Sequence, residues 1–456
     1  MSRRSLPSSA TVLRVLWRDE RGSMLPLMAG LMVSLLGISA VGVEIMSWYV
    51  SKREQQRVVD SAAVQGVYAY ANATASDEAT RRTTALKRAN AFAVKNGASG
   101  SGNENSMICS TSTGSTGVLA RCSDGAYLTS SFVLATVGSS SQTRVDVEAK
   151  QDHDNLIGRM FVGTTVIGST GAAALVGTTA SPACVLGLAS TGTSVNLNGS
   201  PTVELEGCSV KSNGDLDTGG SSALLNVDGV YADSTITGNG QIAADADVKS
   251  GAFVDETADP YASFDYFSVC GSTSFNGRPQ LDVGNNATVT FSAGYYLNNS
   301  SSKILGTARL SPGVYYVKGD VTVGSQGSLR GTGDGVTLVI CGNIDASGTA
   351  GIDIVAPTSG AYAGVAIAAN GTGTSKINGG AGSTSTNEVS INGLIYVPNG
   401  SLDFAGHADS GSANECLQII ANVVTISGTS DFANDCSAYS NMQAVNAAVN
   451  KVSVVN

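Results

Sequence analysis

Large side chains and charge are both scarce in this chain: aromatic residues make up 6% of its 456 residues and charged residues 14%. So few large side chains exclude one wide globular core and leave a thin one, built of stacked small and β-branched residues. Histidine is nearly absent. His153 and His407 lie far apart and in no H-E-x-x-H-like spacing, which argues against a zinc site. They read as a linker residue in QDHDN and a turn residue in AGHADSG. Positive charge is thin beyond the first third, where residues 160–456 hold 9 Lys/Arg against 23 Asp/Glu. That balance lacks the basic footprint nucleic-acid binding needs. The first third has the opposite sign, with 17 Lys/Arg against 13 Asp/Glu over residues 1–159.

Charge is missing altogether from Gly22 to Val43, GSMLPLMAGLMVSLLGISAVGV. A helix of about 20 apolar residues spans a bilayer core, so residues 22–43 read as a transmembrane helix. The run is too long for a leader's apolar region and no small-x-small site precedes Glu44, so it reads as a retained anchor rather than a cleaved signal. Arg3, Arg4, Arg14, Arg18 and Arg21 precede it, which places residues 1–21 in the cytoplasm and the bulk of the chain outside it. Inside the span, Gly30 and Ser34 form a small face suited to helix packing. No Pro or Gly interrupts the next turns, and Val58, Val59, Ala62, Ala63, Val67 and Tyr70 share one helical face. One composite helix is expected from about Gly22 to Asn72. A second is expected from Asp77, its N-cap, to Asn96, with Leu86, Ala89 and Ala93 inward and Gly97 ending it. Residues 44–97 thus form a helical juxtamembrane region.

Cysteine is absent before residue 100, and all eight cysteines come after it: 109, 122, 184, 208, 270, 341, 416 and 436. An even number without a C-x-x-C pair fits disulfides in an oxidising compartment. Eight cysteines leave 105 connectivities open. Nearness in sequence favours Cys109–Cys122, Cys184–Cys208 and Cys416–Cys436, with Cys270–Cys341 left over.

The stretch RDERGSMLPLMAGLMVSLLGISAVGVEIMSWYVSKREQQRVVDSAAVQGV, residues 18–67, combines an Arg-Gly pair, an apolar span, Glu44, Tyr49 and a Gln-rich turn into Asp60-Ser61-Ala62-Ala63. It resembles the N-terminal segment of TadG-like proteins of the Flp (tight adherence) pilus-assembly machinery. RVDVEAKQDHDNLIGRMFVGTTVIGSTGAAAL, residues 144–175, resembles a more C-terminal stretch of that family: a strand, a Phe-containing linker and a second strand. The resemblance implies membrane anchoring, a role in assembling or displaying adhesive pili, and other Tad components or pseudopilins as partners. Related pseudopilins are cut after a Gly and carry Glu at the fifth mature position. Here that position is Leu27, so cleavage after Gly22 is not expected.

Residues 98–180 read as a connecting region with FVLATV and RVDVEA as its clearest strands. From 181 to 440, short apolar alternations such as SVNLNG, TVELEG, STITGNGQI, VTLVICG and VVTISG recur between Gly, Asn and Ser. Strands of this length with turn signals at short intervals predict an all-β architecture. Their imperfect repeat predicts a right-handed β-helix-like solenoid of about ten coils. A pair of β-sandwiches is the alternative, and residues 441–456 are expected as a tail. The fold class is therefore mainly β behind an N-terminal helical anchor.

No catalytic constellation, cofactor motif or metal cluster is read from the sequence. Asp245 and Asp247 in AADADV are expected on one strand face, as a solvated pair rather than a glycosidase couple, which needs opposed carboxylates. Asp345, Ser347 and Thr349 match a D-x-S-x-T metal-adhesion pattern, but Gly342-Asn343 interrupts the strand and no helix comes after it. Gly331–Gly335 and Gly379–Gly382 read as turns. The expectation is a non-enzymatic, membrane-anchored accessory of Flp pilus assembly or of adhesion in a bacterial inner membrane. Its bulk is periplasmic or at the cell surface, and polysaccharide or cell wall is a candidate contact. The rival is a membrane-tethered polysaccharide-binding or polysaccharide-acting β-helix protein.

Overall fold

The computed structural model describes residues 24–455, apart from 74–76, 104–105, 113–116, 138–139, 156–162, 300, 379–388, 406–407, 410–415, 434–435, 437, 440–441 and 443–444. Gly22, His407 and the Gly379–Gly382 cluster lie outside the described residues. The chain divides into two compact units, Met1–Leu175 with Val452–Asn456, and Val176–Lys451.

The first unit begins with α1 (Met24–Ala71), a single unbroken helix of 48 residues, about 72 Å long. Its apolar half keeps Leu27, Leu31, Leu35, Ile38 and Val41 exposed. The other half buries Val59, Ala62, Ala63 and Val67, the face that the helical period marks out. α2 (Glu78–Lys95) starts where Asp77 accepts a hydrogen bond from the Thr80 amide, which satisfies one of the helix's free N–H groups. It ends before Gly97, whose φ of 103° places it in the left-handed region that favours glycine.

Both helices cover one face of an antiparallel meander: β1 (Ile108–Thr111), β2 (Gly117–Ser123), β3 (Leu128–Val137), β4 (Ser140–Asp154) and β5 (Thr164–Gly187). Alternation decides which side chains meet the helices. Phe132 of β3 and Val145, Val147 and Ala149 of β4 point into the core with Leu86, Ala89 and Ala93 of α2. Cys109 and Cys122 stand opposite each other in the β1–β2 register and are disulfide-bonded. Gly171 of β5 lets α1 approach: a Cβ there would stand 2.6 Å from the Asp60 amide nitrogen.

In the second unit the β-strands pair almost entirely in parallel. One inward row runs Tyr315–Leu338–Ile367–Ile395–Ile419 in successive strands, then continues Val185–Val210–Val230. All eight side chains are fully buried. A parallel inward row runs Phe404–Ile426–Leu197. The spatial order is therefore not the chain order. One run, residues 183–250, enters beside the last strands and pairs away from them. The other, residues 283–433, starts at the far end and pairs back until Leu417–Ala433 meets Thr193–Ser212.

Residues 251–280 connect the two runs through short 3-10 turns. This strap packs on an outward row, Tyr295–Tyr316–Val339–Ala368–Tyr396–Ile420–Leu186–Lys211–Tyr231. Tyr261, Phe264, Tyr266 and Phe267 of the strap cover its centre. A sheet buried on both faces uses continuous apolar runs, which explains why every residue of Val336–Ile340 and Val365–Ala369 is buried. Tyr261 donates to Gln418 Oε1 at 3.0 Å and Tyr396 to Asp259 Oδ2 at 2.6 Å. The disulfides of this unit are Cys184–Cys208, Cys270–Cys341 and Cys416–Cys436, the second of which ties strap to strand. Within residues 441–456, Asn446–Val454 form a further strand.

Candidate functional site

The first unit holds a compact set of polar contacts where α1 leaves its apolar half. Ser47, Trp48, Ser51 and Gln55 recur on one side of the helix, and Gln151 and His153 of β4 alternate with Asn155 just past its end, so the two periods bring them together. Ser47 Oγ lies 3.0 Å from His153 Nε2 and Ser51 Oγ 3.2 Å from His153 Nδ1. Trp48 Nε1 donates to Asn155 Oδ1 at 2.9 Å, and Gln55 donates to Gln151 Oε1 at 3.0 Å. Thr165 of β5 adds a hydroxyl to Asn155 Oδ1 at 3.0 Å. Asn155 is buried, and so is Glu44 one turn earlier. His153 is thus a strand residue that bridges two helix serines, not part of a linker. Its ring offers one nitrogen to each hydroxyl, so it orients α1 against β4.

Within the apolar half, Ser34 returns its hydroxyl to the Gly30 carbonyl at 3.0 Å, and nothing approaches the Gly30 Cβ position within 4 Å. The pair is open to another helix. At the far end of α1, Tyr70 donates to Glu78 Oε1 at 2.7 Å. Burial and the neighbouring carboxylate push its phenol up to about 12.

The carboxylates weighed in the sequence separate. Asp245 lies in a turn, while Asp247 opens the strand Asp247–Ser250 and accepts from Tyr231 Oη at 3.2 Å and Lys249 Nζ at 2.6 Å. They share no strand face, because the turn intervenes. Asp245 instead lines an open groove of about 470 Å3 with Glu204, Asn226 and Asp228. Among the described residues neither Arg nor His lines that groove. Asp345 sits on the short strand Ile344–Ala346, between Thr322 and Lys376 in a polar row that continues through Asp403, Thr425, Asn196 and Asp217. Alternating signs along part of such a row stabilise the pairing itself. Among the described residues no group of three or more His, Cys, Asp or Glu side chains is placed to hold a metal ion.

Sequence reasoning missed Lys211. It lies in SVKSNG and is fully buried, near Asp255 and Glu256 at the strap's beginning. Its Nζ donates to the Ser212 carbonyl at 3.3 Å. Burial pulls its ammonium down to about 8, against the attraction of Asp233, Asp255 and Glu256.

Among the described residues one helix, α1, is long and apolar enough to cross a membrane, with a mean hydropathy of 1.9. Neither the curated proteins nor the solved structures contain a match to the chain. A family model does match, over the apolar helix and its continuation into the first unit. Through residues 22–71 the chain carries the segment of the family described as putative Flp pilus-assembly TadE/G-like.

Proposed function

We propose that this chain is a non-enzymatic, membrane-anchored accessory of Flp/Tad pilus assembly or surface adhesion. α1 holds it in a bacterial inner membrane by a single pass, with the N-terminus cytoplasmic and both units on the extracytoplasmic side. The observation that carries this reading is the continuity of α1. The same helix supplies the apolar span, the family segment and the helical layer of the first unit. Four disulfides among the described cysteines favour an oxidising compartment.

The second unit, on this reading, is a β-solenoid of right-handed β-helix-like kind that presents an extended surface to pilus components or to a cell wall. Its long parallel ladders and its rows of stacked identical positions support that assignment. The alternative, a polysaccharide-binding or polysaccharide-acting protein on the same scaffold, draws on the groove of Glu204, Asp228 and Asp245.

Deletion of the gene, with complementation by the full chain or by Glu204→Gln with Asp245→Asn, separates the two. Loss of surface pili on deletion, restored equally by both, supports the accessory role. Normal piliation with an altered surface polysaccharide would overturn it. Protease treatment of spheroplasts then tests the topology, with digestion of everything after about residue 50 as the expected result.

A further inference from the structure

We infer that the end of the first unit's sheet, at Asp154 of β4, the following Asn155 and Thr164 of β5, seats directly in the lipid headgroup layer of the membrane that α1 crosses. The inference rests on the anchor reading and adds where the folded part stands relative to the bilayer. A unit carried on a long helix could stand clear of the surface on a bare helical stalk. The contacts around His153 exclude that arrangement for this chain.

The height is set by the helix. The apolar span closes at Val43, and Trp48 lies about 7 Å further along the axis. The headgroup region adds about 5–7 Å beyond each side of the hydrocarbon core. Trp48 therefore sits at the headgroup level, where an indole with one apolar end and one hydrogen-bonding end is favoured. Its Nε1 is held by Asn155, and Ser47, one residue nearer the core, by His153. The strand end is thus fixed at the height of the headgroups. Asp154 pairs with Thr164 in the β4–β5 register, and both are exposed.

The charges at this level fit zwitterionic headgroups. Asp152 and Asp154 are exposed on β4, and Lys52 and Arg53 are exposed on α1 about 13–15 Å beyond Val43, with long side chains that reach back towards the headgroups. The carboxylates suit headgroup ammonium ions and the cations suit phosphates. Among the described residues Glu44 and Tyr49 on α1 and His153 on β4 are the other titratable groups near this height, with Glu54 above it, and His153 is engaged by the two serines.

A photocrosslinking amino acid tests the seat. The full chain, reconstituted in phosphatidylcholine nanodiscs, carries p-benzoylphenylalanine at Thr164, at Leu31 or at Val118. Leu31 is exposed within the apolar span. Val118 is exposed at the level of Arg144, about 34 Å along β4 from Asp154. The expected result is lipid adducts at Leu31 and Thr164 and none at Val118. Adducts at Leu31 without any at Thr164 would overturn the seat while leaving the anchor intact. Absence of adducts at Leu31 would overturn the anchor and the seat with it. Adducts at Val118 as abundant as at Thr164 would mean that the sheet lies flat on the bilayer, and would overturn the end-on seat. In a Trp48→Phe, His153→Ala background the Thr164 adduct should fall several-fold while the Leu31 adduct persists. An unchanged Thr164 adduct there would overturn the role of these contacts in fixing the height.

Discussion

Ile426 pairs with Leu197 in a parallel ladder, and both side chains are fully buried. The contact joins the last strand of one run, Leu417–Ala433, to Thr193–Ser212 of the other, and with the neighbouring Ile419–Val185 pair it makes the apolar interior continuous between the runs. Ile426→Ala and Leu197→Ala should each lower the stability of the second unit by about 2–5 kcal/mol, from lost burial plus the cavity left. Because the two residues touch, the double variant should fall short of additivity by about 0.5–3 kcal/mol. Urea unfolding of the four species checks this, and full additivity would refute the coupling.

The Cys270–Cys341 bridge closes a sequence separation of 71 residues between the strap and the end of the strand Val336–Ile340. Constraint of the unfolded chain makes such a bridge worth about 2–4 kcal/mol. Cys270→Ser with Cys341→Ser should lower the urea midpoint accordingly. It should also open the strap, so that hydrogen exchange rises first at Tyr261–Phe267. Protection in the strap equal to that of the parent would show that its aromatic side chains hold it alone.

Lys211 gives a pH dependence with an unusual sign. Its folded value of about 8 lies below the ordinary lysine value of 10.5, so the unfolded chain binds the proton more tightly. The penalty is fully present below about pH 8 and fades as pH rises through the lysine range, so stability should increase from pH 8 towards pH 10. Lys211→Met should gain on the order of 1–3 kcal/mol at pH 7 and abolish that rise. Denaturant titrations at pH 7 and pH 9.5 on both proteins decide it.

Gly171 carries no side chain because α1 passes over it, with the Asp60 amide and the Val59 carbonyl carbon each 2.6 Å from where a Cβ would stand. Backbone cannot yield as a side chain tip can. Gly171→Ala should push α1 off β5, cost about 1–3 kcal/mol as an overpacked contact does, and weaken the Gln56 donation to the Thr170 carbonyl. Thermal unfolding and amide exchange at Val59–Ala63 would register it. A silent substitution would mean that the helix is free to move outward.

The sequence made the helical half legible because its signals are local. The charge-free span, the inward face at Val59, Ala62, Ala63 and Val67, the Asp77 cap and the Gly97 stop each rest on neighbours within one or two turns. The cysteine pairs favoured by nearness coincide with the bridges in the structure. The order of the strands was not legible, since Ile426 and Leu197 lie far apart and their segments, VVTISG and SVNLNG, carry the same pattern as every other strand. Composition that repeats cannot say which copies touch. The strap was hidden for a related reason: its aromatic cluster is irregular, and its target row is legible only once the register is known. The contacts around His153 did leave a signal, with polar residues two apart at Gln151, His153 and Asn155 and a matching Ser47, Ser51, Gln55 series four apart. Each series alone looks like a solvated face.

The permuted order of the second unit also sets a timetable for the chain as it is made. Residues 183–250 emerge early, yet the strand that completes their exposed side, Leu417–Ala433, emerges almost last. Until then the newborn domain has an open apolar end, a natural handle for holding factors and proteases. A product cut short anywhere before residue 417 lacks the strand that covers that end.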